Sequence, residues 1–95
     1  MRDYEAMFII KPDLEEEAVN ATVAKFQDLV TNGGGTVNKL DRWGKRRLAY
    51  EIAGYTEGLY VVMDFSAESG AARELERVFR ITDEVIRHLI VRKGD

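Results

Sequence analysis

The chain has 95 residues, 45% hydrophobic and 33% charged, with one proline and no cysteine. This suffices for a single packed domain over residues 1–95 and excludes a second core, a disulfide framework and a thiolate metal cluster. No apolar run approaches the roughly 18 residues of a membrane span, the opening Met1-Arg2-Asp3-Tyr4-Glu5 is no secretory signal, and a net charge of −3 argues against nucleic acid binding spread over the whole surface.

Tyr4 to Ile10 alternates and then turns apolar, which predicts a central strand with Tyr4, Ala6, Phe8 and Ile10 on one face. Pro12 and Asp13 stop it, and Asp13 is the expected cap of a helix whose first turn carries Glu15, Glu16 and Glu17. Ala18, Val19, Thr22, Val23, Phe26, Leu29 and Val30 then share one side at helical spacing. Gly33-Gly34-Gly35 ends the helix. Thr36 to Ile52 reads as a long strand with Gly44 inside it, and Gly54 to Gly58 turns the chain into a second strand, Leu59 to Phe65. Ser69 is the expected cap of a second helix with Ala71, Ala72, Leu75, Val78 and Phe79 as its buried stripe. Asp83-Glu84 breaks that helix, and Val85 to Val91 is a last apolar strand whose facing stays open, since both registers are apolar.

The order βαββαβ with two amphipathic helices predicts an α+β, ferredoxin-like domain. A four-stranded antiparallel sheet carries both helices on one face and leaves the other face bare. Met7, Ile9, Tyr60 and Val62 would lie on that bare face among Asp3, Glu5 and Asp64, an apolar patch rimmed by acids that suits a basic protein partner.

Positive charge is local. Residues 36–50 hold Lys39, Arg42, Lys45, Arg46 and Arg47 against Asp41 alone, whereas residues 51–72 hold no Lys or Arg. Such a distribution fits a protein that meets RNA with part of its surface, although a charge run is more often a solvated face.

Catalytic chemistry is not legible. His88 is the single histidine, on an apolar strand, and reads as structural; no cofactor or metal site is expected. The junction Ile10-Lys11-Pro12-Asp13 offers no glycine-rich phosphate cradle. An RNA-recognition motif would need a basic residue and an aromatic platform where Glu57 and Asp64 stand. The chain is therefore read as no enzyme.

Three stretches carry a family resemblance. The segment Lys39-Leu40-Asp41-Arg42-Trp43-Gly44-Lys45-Arg46-Arg47-Leu48-Ala49-Tyr50-Glu51-Ile52 resembles the hallmark of the bacterial small-subunit ribosomal protein S-six family. Arg2-Asp3-Tyr4-Glu5 and the run from Ile81 to Val91 are similar to its opening and its last strand, and the likeness covers essentially the whole chain. It implies a cytoplasmic, non-catalytic component of the small ribosomal subunit. Such a protein pairs with ribosomal protein S-eighteen and binds the central domain of small-subunit ribosomal RNA. Some members carry a charged tail after the last strand; here the sequence ends at Asp95, so no role of such a tail is expected.

By this resemblance RNA contacts fall on Arg2, Arg80, Arg87 and Arg92, with Lys93, along one edge. Each would position the protein on phosphate or sugar, and each competes with the plain reading of a surface ion pair worth little. Arg42, Trp43, Lys45, Arg46, Arg47, Tyr50 and Tyr60 are the candidates for a partner-protein or RNA interface. Gly44 would permit a bulge that projects the side chains around it. Which of Trp43, Tyr50 and Tyr60 meets the partner stays open. The runner-up is a self-associating or small-molecule-sensing ferredoxin-like module.

Overall fold

A computed structural model describes residues 1–94; Asp95, and with it the expectation about a tail, lies outside the described residues. Six elements follow in order: β1 (Arg2–Ile10), α1 (Glu16–Asn32), β2 (Thr36–Ile52), β3 (Tyr55–Ala67), α2 (Ser69–Ile81) and β4 (Val85–Arg92). The strands form one antiparallel sheet in the order β2-β3-β1-β4, the ferredoxin-like arrangement. Helix α1 lies beside β2 and α2 beside β4.

Alternation decides which side chains meet the helices. Tyr4, Ala6, Phe8 and Ile10 of β1 and Val61, Met63, Phe65 and Ala67 of β3 are buried on one face. The stripe of α1 covers them with Val19, Val23, Phe26 and Val30, and that of α2 with Ala72, Leu75, Val78 and Phe79. At the centre Phe26 and Phe79 have ring centroids 4.3 Å apart, with Phe8 within 5.2 Å of both. Burying these rings removes large apolar surfaces from water, which is what holds helices to sheet.

Both expected caps shift. The N-cap of α1 is Glu15, without a side-chain cap bond. Asp13 sits in the preceding turn, where its carboxylate accepts a hydrogen bond from the Tyr55 hydroxyl (3.2 Å). The N-cap of α2 is Glu68, so Ser69 is already helical. Strand β3 starts at Tyr55, earlier than expected, because the hairpin closes tightly at Ala53-Gly54, both in the left-handed region (φ 52° and 86°).

The facing of β4 is settled by register. Phe8 pairs with His88 and Ala6 with Ile90, so His88 faces the helices, its ring stacked on Phe79 at 5.3 Å. Arg87, Leu89 and Val91 take the opposite side by alternation.

Candidate RNA edge and partner face

The helix-free face is ordered in rows across β3, β1 and β4. Tyr60, Ile9 and Arg87 form one row, Val62, Met7 and Leu89 the next, then Asp64, Glu5 and Val91, then Ser66 and Asp3. Apolar side chains thus occupy one end of the face and carboxylates the other. Leu89 is 54% exposed. Ser66 donates to Asp3 (2.6 Å), and Lys93 pairs with Asp64 at 3.4 Å.

Ile9 lies on the helix-free face as alternation predicts, but it is not displayed there: it is only 5% exposed. The reason is the end of β2. Its pairing with β3 shifts between Arg47 and Ile52, so residues 48–51 bulge from the ladder as an arm of the hairpin. Leu48 is buried, and Tyr50 reaches across two strands to β4, where an Arg87 guanidinium N–H donates to the Tyr50 hydroxyl. The Arg87 charge also stands 5.7 Å from the Tyr50 ring centroid. Together with Met7, Ile9, Ile52, Tyr60 and Leu89 they line a cleft of about 260 Å³.

A second irregularity positions Trp43. Arg42 pairs with Val61 and Gly44 with Tyr60, so Trp43 is the extra residue of a bulge. Gly44 there has φ 82°, a conformation that favours glycine. The bulge sends Trp43 to the open face, where its ring lies parallel to Tyr60 (7°, centroids 6.2 Å) with the Arg46 guanidinium 5.5 Å away. Arg42 goes the other way and donates to Asn20 of α1 at 2.7 Å. The basic stretch is therefore divided: Trp43 and Arg46 join Tyr60 and the open face, Lys45 and Arg47 are exposed along the outer strand, and Arg42 belongs to the helix side. Tyr50 stands apart from Trp43, over the Ile9 row.

The expected RNA residues lie along the β4 side of the molecule. Arg87 and Lys93 flank the open face, whereas Arg92 pairs opposite Tyr4 and so takes the helix side. Arg2 opens the neighbouring β1 and pairs with Ala67. Arg80 ends α2 and pairs with Glu76 (3.0 Å), whose other oxygen is 3.4 Å from His88. Arg87, Arg92 and Lys93 stand on β4 or just past its end, Arg2 and Arg80 on neighbouring elements, and the five form no cluster. Tyr50 as a partner of Arg87 was missed by sequence reasoning; no local signal links positions 37 apart.

Comparison with known proteins agrees along the whole chain. The model of the ribosomal protein S6 family matches residues 3–92. The small ribosomal subunit protein bS6 of Desulforamulus reducens is 55% identical over 95 residues, all of both chains. That of Desulforudis audaxviator is 56% identical over 93 residues, 98% of this chain and 99% of its own. The crystal structure of 30S ribosomal protein S6 from Thermotoga maritima superposes with a TM-score of 0.92 at 36% identity, covering 97% of this chain and 87% of that one. An Arabidopsis thaliana protein at 11% identity shares the fold alone, with a TM-score of 0.57 over all of this chain and 95% of that one.

Proposed function

The chain belongs to the ribosomal protein S6 family, a non-enzymatic component of the small ribosomal subunit, and from that premise we propose that it binds small-subunit ribosomal RNA together with ribosomal protein S18. Its place is then the cytoplasm, within the small subunit, on the central domain of that RNA. Arg2, Arg80, Arg87, Arg92 and Lys93 position the RNA along the β4 edge, and the open face with Trp43 and Tyr60 receives the protein partner.

The observation that carries this reading is the separation of charge on one sheet. Cations stand at the β4 rim, while the middle of the open face is apolar with Glu5 and Asp64 in its next row. Phosphates laid across that middle would meet carboxylates, whereas a cationic protein would be attracted to them. A net charge of −3 leaves the chain a weak RNA binder by itself.

The test is titration of a central-domain RNA fragment with the chain alone, with S18 alone and with both. Binding by the pair should exceed that of either protein, and the chain alone should bind only at low salt. Equal affinity of the isolated chain and the pair would defeat the partner half. Light scattering of the isolated chain addresses the runner-up: a stable dimer that ignores S18 would favour self-association.

A further inference from the structure

We infer that Arg73 of α2 is a further contact to ribosomal RNA phosphate, so that the RNA edge continues from β4 onto one flank of this helix, while its neighbour Arg77 takes no part. This rests on the proposed RNA binding and deepens it with a residue outside the five that the resemblance implies.

The two flanks of α2 are told apart by their contacts. On one, a Cβ built on Gly33 at the end of α1 would stand 3.4 Å from Ala71 Cβ. On the other, Glu76 Oε1 is 3.4 Å from His88 Nε2 of β4, and Arg80 is held to Glu76 Oε2 at 3.0 Å. At 100° per residue, Arg73 falls about 20° from Arg80 and about 60° from Glu76 around the axis, but about 160° from Ala71. Arg73 is therefore on the β4 flank, exposed, and about 10 Å along the axis from Arg80.

The helix runs antiparallel to β4, which fixes the order of the cations. Its cap residue Glu68 meets the N-terminal ammonium at the opening of β1 (3.7 Å). That same end of β1 holds the end of β4, with Tyr4 opposite Arg92 and the Lys93 N–H donating to the Asp3 carbonyl. Arg80 stands instead near the start of β4, beside Val85 and Ile86. Arg73 thus lies on the way from Arg80 to the Arg2 and Arg92 end, on the helix side that Arg92 also takes. Glu5 and Asp64 are on the other side of the sheet.

The three arginines of α2 differ in the charge they leave for a phosphate. Arg77 donates two hydrogen bonds to Glu74, at 2.9 and 2.8 Å. Arg80 shares Glu76 with His88. Arg73 makes no ion pair or hydrogen bond among the described residues. The first turn of α2 carries no acid either, whereas that of α1 carries Glu16 and Glu17. A guanidinium without a carboxylate can take a phosphate through two parallel hydrogen bonds at once, whereas Arg77 would first have to give up Glu74.

The experiment titrates a central-domain RNA fragment with the heterodimer of the full chain and S18 over a range of salt concentrations. Urea unfolding verifies that each variant is folded. Arg73→Gln should reduce the slope of log affinity against log salt by about one, and Arg73→Lys should keep it. Glu74→Gln together with Arg77→Gln removes that ion pair without changing net charge and should leave the slope as it was. A slope unchanged by Arg73→Gln overturns the inference and leaves RNA binding by the parent standing. A parent heterodimer whose binding ignores salt overturns both. Loss of slope from the Glu74 and Arg77 double variant overturns the division between the two arginines. Weaker binding of Arg73→Gln to S18 without RNA would give Arg73 to the protein partner, which also overturns the inference.

Discussion

Gly58 of β3 lies directly against Ile9 of β1: a Cβ at position 58 would stand 2.2 Å from Ile9 Cγ2. Neither side can give way cheaply, because Ile9 is closed in from above by the arm that carries Leu48 and Tyr50. Gly58→Ala should therefore destabilise the protein by about 1–3 kcal/mol, the usual cost of overpacking. Urea unfolding measures it. Ile9→Ala in the same chain should recover part of that loss, since it removes the clashing methyl; strict additivity of the two would place the strain elsewhere.

Phe26, fully buried between Phe8 and Phe79, links α1 to both the sheet and α2. Phe26→Ala leaves a cavity where α1, α2 and the sheet meet. The expected loss is about 3–5 kcal/mol, a large share of the stability of a domain this size. Thermal and urea unfolding read it, and a loss under about 1 kcal/mol would show that the core collapses around the gap.

How much of this was legible in the residues follows from the range of each interaction. The alternation of Tyr4, Ala6, Phe8 and Ile10 and the stripe from Val19 to Val30 are local patterns, and each reads directly as one buried face. The observed caps differ from the expected ones although Asp13 and Ser69 are good capping residue types: Asp13 is engaged instead by Tyr55 of the β2–β3 hairpin. The burial of Ile9 is hidden for the same reason: a side chain that alternation turns outward is covered by the bulged residues of β2, and nothing near position 9 announces it. The proposed RNA edge stands in the sequence only as a list of cations that the family resemblance implies. The division of the basic stretch at Trp43 is not legible there, since it depends on how the bulge at Gly44 rotates the strand.

Arg77 donates two hydrogen bonds to Glu74 within α2, at 2.9 and 2.8 Å. They hold the Glu74 carboxyl below its usual value of 4.5. A lowered folded-state value means the stabilisation is present above the unfolded value and fades as pH falls through the folded one. Glu74→Gln should accordingly lower the melting temperature slightly at neutral pH, with the gap to the parent closing below about pH 4. Both groups are fully exposed, so the effect is small. A gap that widens in acid would reverse the assignment.

Arg87 and Arg92 sit on the edge strand but take opposite sides of it. If both meet phosphate, Arg87→Ala with Arg92→Ala should reduce the slope of log affinity against log salt for the heterodimer by about 2, about one per contact. The single variants separate them. Tyr50→Phe, which keeps the ring beside Arg87 but loses its hydroxyl, should leave that slope intact and speed amide exchange in the arm. An unchanged slope in the double variant would remove these arginines from the RNA edge.

Trp43 is 48% exposed, parallel to Tyr60 and close to Arg46. An exposed aromatic held rigid by a neighbouring ring loses little entropy on being covered, which is the property of residues that dominate protein interfaces. Trp43→Ala should lower affinity for S18 about tenfold or more, while unfolding shifts by less than about 1.5 kcal/mol, because the ring contributes a stacking contact at the surface and not core volume. Trp43→Phe should retain most of the affinity. The substitution removes no charge, so the salt dependence of RNA binding should stay as it was. These readouts separate the two roles open to the residue. A partner contact is lost only where S18 is present. A base-stacking contact would weaken RNA binding by the isolated chain as well, and that result would move Trp43 from the protein interface to the RNA.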